Sequence, residues 1–151
     1  MRKKLLNIVL LNVIVFFALI SIHEIVHITV GSCLGCDYGK AVILDIGFNG
    51  PYAEMVCSNI SQFVVYISSF IVTACFGILF LTLNSPGKNL SFVILGLSLI
   101  FSSVDIGLIT LDSLVYPIMG SGFLLITIGE YYIASSCINE NMFLDIFELN
   151  E

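Results

Sequence analysis

Charged residues are scarce in this chain. Only 11% of its 151 residues are charged, whereas a soluble domain carries about a quarter. Hydrophobic residues make up 58% of the chain, and the mean hydropathy is +1.08. The shortage of charge excludes a water-soluble globule, and the abundance of apolar side chains excludes a disordered chain. Because the length predicts one domain, we expect a small multi-pass membrane protein.

Positive charge is scarcer still, with five Lys and Arg against eleven Asp and Glu. Three of the five cations, Arg2, Lys3 and Lys4, stand together near the first residue. No basic patch occurs elsewhere, so we expect no nucleic-acid partner. Cytoplasmic segments of membrane proteins are enriched in Lys and Arg. The first three cations and Lys88, opposed only by Lys40, therefore predict a cell-membrane protein with cytoplasmic N- and C-termini.

The cysteines are odd in number and scattered, so their spacing defines no disulfide framework. They are Cys33, Cys36, Cys57, Cys75 and Cys137. Cys75 lies within an apolar run, where a free thiol behaves as a small hydrophobe. Cys33 and Cys36 form one C-x-x-C pair, which is half a zinc site. Between a second metal or redox pair and two loop thiols, we favour loop thiols.

Four long apolar stretches predict an all-α transmembrane fold. Each has roughly the 20 residues needed to cross a hydrocarbon core of about 30 Å. Frequent Gly, Ser and Ala residues favour close packing of the four helices. We expect a single transmembrane domain over residues 1–138, with a retained first helix, followed by an acidic C-terminal tail over 139–151. The predicted spans cover about residues 5–30, 62–83, 90–111 and 113–135.

The loop after the first span predicts a short re-entrant β-hairpin over residues 41–57. Ala41–Gly47 is short and β-branched, and Asn49-Gly50 then separates it from a second short run. An Asn-Gly pair between two such runs is a hairpin signal, weakened here by Pro51 directly after it. Close to a bilayer, the free edges of the hairpin need protein or water around them.

An H-E-x-x-H motif occupies residues 23–27 of the first span. Ionisable groups at the bilayer centre cost about 2.5–3.5 kcal/mol each, which makes them candidates for function. Residues four apart project from one helix face, so His23 and His27 can share a Zn²⁺ ion. Glu24 is placed to act as the general base toward a water that the metal acidifies. The competing interpretation is three polar core residues paired with backbone.

A catalytic zinc usually has three protein ligands and an open position. Asp105, deep in the third span, is the predicted third ligand, because an unpaired carboxylate there would be uncompensated. Its alternative is a protonated Asp hydrogen-bonded to a neighbouring helix. Asp112 is the rival ligand, although a helix cap or a solvated interfacial residue is the more ordinary interpretation. Glu130 is expected to snorkel beside Tyr131 and Tyr132 at the end of the last span.

The pattern resembles the site-2 protease family of intramembrane zinc metalloproteases. Members carry H-E-x-x-H on an early transmembrane helix, matched by His23, Glu24 and His27. They carry an Asp on a later helix, commonly followed by Gly, and Asp105 is similar in order and depth, with Ile106 before Gly107. The family also has a membrane-associated β-hairpin after its first motif. The resemblance implies one Zn²⁺ per chain and hydrolysis of peptide bonds within the membrane.

We therefore predict an intramembrane zinc metalloprotease with Glu24 as catalytic base. Its expected partners are a membrane-protein or peptide substrate and the lipid bilayer. One alternative is a non-catalytic scaffold, or an inactive homologue that binds transmembrane segments. The other is a small protein that handles metal or other ions along a path of polar side chains. The sequence predicts neither the substrate nor the oligomeric state.

Overall fold

Four long helices and one pair of strands make up the described part of the chain. The computed structural model describes residues 2–42, 52–84, 87–109 and 112–139. In chain order the elements are α1 (Arg2–Cys33), β1 (Asp37–Val42), β2 (Tyr52–Val56), α2 (Asn59–Leu81), α3 (Gly87–Ile109) and α4 (Asp112–Asn139). All four helices are long and apolar enough to cross a membrane. The predicted four-helix membrane fold is thus confirmed in outline.

The helix ends follow local sequence signals. Gly35 has a φ of 72°, a left-handed conformation in which glycine carries no Cβ penalty, and α1 ends two residues before it. Ser58 caps α2, its side chain accepting a hydrogen bond from the Ser61 amide. Helix α3 begins at Gly87, three residues ahead of the predicted span 90–111. The acidic tail after Asn139 lies outside the described residues.

The strands β1 and β2 pair antiparallel between α1 and α2. Their register joins Asp37 to Val56 and Val42 to Tyr52, with an irregularity between Tyr38 and Lys40. The first strand therefore begins ahead of the predicted residue 41. The predicted turn at residues 49–50 lies outside the described part of the chain. Entry of the hairpin into the bilayer remains a prediction.

A disulfide joins Cys36 to Cys57, directly before β1 and directly after β2. The expectation that Cys33 and Cys36 are two loop thiols is wrong for Cys36. Antiparallel pairing brings the residues that flank the strands opposite each other, and the Cα atoms of Cys36 and Cys57 lie 4.7 Å apart. Cys33 instead ends α1, where it is exposed and free.

The apolar core lies at the end of the bundle where α1 begins. Its buried members come from three helices: Leu19, Leu90, Val93, Ile94 and Ile133. Close contact of α3 with α4 depends on glycine, because a Cβ on Gly96 would lie 2.6 Å from the Gly122 carbonyl oxygen. Helices in lipid associate largely through such tight van der Waals packing. This packing fixes α3, and α3 in turn carries Asp105 to the opposite end of the bundle.

Candidate metal centre

One face of α1 supplies two imidazoles to the interior of the bundle. Successive residues on this face are Leu19, His23 and His27, spaced four apart, so that the helix stacks them one turn above another. Both histidines are buried, with 3% and 4% of their surface exposed. Their ring centroids lie 4.6 Å apart, with the rings nearly perpendicular. The helix thereby turns one pair of ring nitrogens toward the same point.

Asp105 of α3 lies at that point. Its Oδ2 atom is 3.0 Å from His23 Nε2 and 3.2 Å from His27 Nε2. One ligand atom from each of the three residues lies within 4.8 Å of the others, and all three residues are buried. A tetrahedral zinc with bonds of about 2.0–2.1 Å holds its ligands roughly 3.3–3.4 Å apart. The two distances to Asp105 are close to that separation, and the three side chains could hold one such ion.

Glu24 stands beside this group with an unsatisfied carboxylate oxygen. The residue is 7% exposed, and it lies within electrostatic range of both imidazoles and of Asp105. Its Oε2 atom is buried and has no hydrogen-bond partner within the described part of the chain. A buried carboxylate oxygen without a partner is costly. Its position suits Glu24 to accept a proton from a molecule that enters the site.

Helix α2 adds a polar side that the sequence interpretation missed. Ser69 is fully buried, and its hydroxyl lies 2.8 Å from the Tyr66 carbonyl oxygen and 3.4 Å from Asp105 Oδ2. The Tyr66 ring meets His27 edge to face at 5.5 Å, and its hydroxyl accepts a hydrogen bond from Gln62 Nε2 at 3.2 Å. With Thr73, these residues are spaced four, three and four apart. Polar residues at this spacing in an apolar span predict one polar face of a helix, so the sequence alone contains this signal.

Aromatic rings close the site toward the apolar core. Phe101 lies one turn before Asp105 on α3, and its ring is 5.7 Å from that of His23. Phe101 also packs against Phe16 of α1, with ring centroids 5.8 Å apart. The polar group is therefore covered by apolar rings on the side that faces Leu19. Any access to the imidazoles comes from the hairpin end or from between the helices.

Of the two remaining acidic candidates, only Glu130 has a described side chain. Asp112 is the first residue of α4, and its side chain is outside the described part of the structure. Glu130 is half-buried in α4 and shares a side-chain hydrogen bond with Asn12 of α1. Asn12 is about 16 Å along the helix from His23, at about 1.5 Å per residue. Glu130 therefore belongs to a second polar contact, separate from the candidate metal centre.

Comparison with protein-family models, curated proteins and solved structures finds no match for this chain. No relative therefore assigns a metal or a reaction to His23, His27 and Asp105. Their chemistry follows from their own spacing, burial and donor atoms.

Proposed function

We propose that this chain is an intramembrane zinc metalloprotease. One ion would be held by His23, His27 and Asp105, and peptide bonds would be hydrolysed in or beside the bilayer. The convergence of two imidazole nitrogens on one carboxylate oxygen, with Glu24 unpartnered beside them, carries the proposal. Two nitrogens and one oxygen form a common catalytic zinc set, which leaves the fourth position open. The basic cluster Arg2–Lys4 favours cytoplasmic N- and C-termini in a cell membrane.

A hydrogen-bonded His–Asp–His network without metal is the simplest competing interpretation. It accounts for the distances from His23 and His27 to Asp105. It does not account for Glu24, whose buried oxygen gains nothing from such a network. A divalent cation would offset the burial of both carboxylates at once. The pair of acids beside two imidazoles thus favours the metal.

Each side chain then has a distinct role in hydrolysis. When bound, the ion would polarise the scissile carbonyl and acidify water. Glu24 would accept the proton as water attacks the carbonyl carbon, and would then donate it to the departing amide nitrogen. Ser69, within reach of Asp105 Oδ2, would restrict the rotation of that carboxylate. Groups that hydrogen-bond to a metal ligand in this way fix the orientation of that ligand.

The substrate must expose its backbone to be cut. A transmembrane helix hides its peptide groups in internal hydrogen bonds, so the cleaved segment must first unwind. The strand pair β1–β2 packs against α1, the helix that carries Glu24. An extended segment could add to its edge as a further strand. If deletion of residues 41–57 left turnover of a membrane substrate unchanged, this proposed pairing role would be refuted.

The two alternatives fit the structure less well. A scaffold that only binds transmembrane segments has no use for Glu24 beside a metal. An ion-handling protein needs polar groups along its whole length. Here the apolar side chains of Phe16, Leu19 and Phe101 lie between the Asn12–Glu130 contact and the imidazoles. We therefore favour hydrolysis over both alternatives.

Metal analysis of the purified full-length chain tests the proposal. We expect about one zinc per chain in the parent, and a large loss of zinc in His23→Ala and Asp105→Asn. Glu24→Gln should keep the zinc and lose cleavage, because it removes the base but no ligand. Glu130→Gln is the matched control, since it neutralises an equally intramembrane acid far from the site. A parent without metal, or unchanged zinc content in Asp105→Asn, would refute the proposal.

A further inference from the structure

The two ends of the bundle differ in charge and in covalent chemistry. The helices alternate in direction, so α1 and α3 begin at one end and the strand pair lies at the other. Four of the five cations belong to the first end: Arg2, Lys3, Lys4 and Lys88. Lys40 of β1 is the single cation of the hairpin end. The Cys36–Cys57 disulfide also belongs to the hairpin end.

These two features indicate the same orientation for independent reasons. Disulfides form and persist in oxidising compartments and are rare in the cytosol. The disulfide therefore places the hairpin end outside the cytoplasm. Lys and Arg are retained on the cytoplasmic side during insertion, which places the opposite end in the cytoplasm. Neither argument uses the metal centre, and each could have contradicted the other.

The candidate metal centre lies close to the disulfide end. His27 is about 9 Å along the axis from the end of α1 at Cys33, and Asp105 is about 6 Å from the end of α3 at Ile109, at about 1.5 Å per residue. His23 is about 32 Å from the start of α1 at Arg2 on the same scale. The three side chains therefore sit in the outer third of the bundle.

From this placement we propose that the site takes substrate from the exocytoplasmic side of the membrane. Its substrates are segments of other membrane proteins that unwind near the exocytoplasmic bilayer surface. The disulfide ties β1 and β2 together at their base, and the pair packs against α1. The strand pair is thus held beside the end of α1 that lies nearest the candidate metal centre. The substrate part of this proposal rests on the proposed hydrolase function.

Thiol labelling in a bacterial inner membrane tests the orientation. The full chain carries Cys33→Ala, Cys75→Ala and Cys137→Ala, which leaves only the disulfide cysteines. Intact spheroplasts are treated with a membrane-impermeant maleimide of large mass, with or without a membrane-impermeant phosphine reductant. We expect no labelling of the chain without reductant and two labels per chain with it.

Two controls make this result decisive. Adding Cys36→Ala should free Cys57, which should then be labelled from outside without any reductant. A cysteine introduced by Asn84→Cys, in the turn after α2, should be labelled only after the membrane is permeabilised. If Cys36 and Cys57 were both labelled without reductant, and only after the membrane is permeabilised, the proposal would be overturned. Labelling of the position 84 cysteine in intact spheroplasts would overturn it as well.

A pair of reporter substrates tests the side of cleavage. Each reporter is a single-span protein with a helix-breaking Asn-Pro-Gly segment, placed in the exocytoplasmic third or in the cytoplasmic third of its span. We expect the parent chain to cut only the first reporter, and Glu24→Gln to cut neither. Cleavage of only the second reporter would overturn this inference and leave the hydrolase intact. Cleavage of neither, with zinc bound, would refute the hydrolase and the substrate class with it, whereas the labelling would still report the orientation.

Discussion

The two ends of this bundle are held together by different physical means. Away from the hairpin, glycines such as Gly96 and Gly122 let α3 and α4 approach closely around apolar side chains. At the hairpin end, α1, α2 and α3 meet through His27, Ser69 and Asp105, and a disulfide closes the connection. Helices in lipid gain little from hydrophobic attraction to one another. The comparison suggests that the packed end fixes the helices, so that the polar end can hold ligands in place.

Loss of the disulfide should have the largest effect on stability, confined to the hairpin end. The bond closes a loop with a sequence separation of 21 residues, and chain-entropy arguments give about 3 kcal/mol for a loop of similar size. We expect Cys36→Ala with Cys57→Ala to unfold the strand pair first, as hydrogen exchange of β1 and β2 would show. The matched control is Cys33→Ala, which removes a free exposed thiol. Equal protection of β1 and β2 in both variants would contradict the prediction.

Crowding the helix crossing should destabilise the contact between α3 and α4. A Cβ at position 122 would lie 2.7 Å from the Gly96 carbonyl oxygen, and overpacking of this kind costs about 1–3 kcal/mol. We expect Gly122→Ala to lower the unfolding midpoint in detergent. Gly120→Ala is the control on the same helix, because nothing lies within 4 Å of its Cβ position. A similar midpoint for the two variants would show that α3 and α4 cross elsewhere.

Removal of one hydroxyl at the polar end should have the smallest effect. Ser69→Ala deletes the group near Asp105 Oδ2, and loss of such a partner typically lowers metal affinity about 10- to 100-fold. The contact is long at 3.4 Å and is shared with a backbone carbonyl, so we expect the lower figure in a zinc competition titration. Ser68→Ala is the neighbouring control, since its hydroxyl donates only to the Val65 carbonyl oxygen. Equal zinc affinity in both variants would separate Ser69 from the metal.

Local sequence patterns predicted much of the fold. The four spans follow from continuous apolar runs, and His23 and His27 share a face because both lie on one helix. Asp105 was a candidate from its depth in the third span and from its match in order to the Asp of the site-2 protease pattern. Its meeting with two imidazoles depends on how α3 is rotated and packed against α1, which no local pattern contains.

The features that the sequence interpretation missed depend on several elements at once. The role of Ser69 requires α2 to turn one particular face toward α3. The pairing of Cys36 with Cys57 depends on strand register, which the C-x-x-C spacing of Cys33 and Cys36 obscured. Asp112, as rival ligand, stays a prediction, because its side chain lies outside the described residues.

The rings of Phe16 and Phe101 have a consequence for the membrane as an insulator. A polar centre that reached both surfaces would let protons run down their electrochemical gradient. Here the aromatic pair, and the aliphatic layer beyond it, lie between the imidazoles and the end of the bundle where α1 begins. Under the proposed hydrolase function, water would then reach a peptide bond inside the bilayer without a proton leak across it.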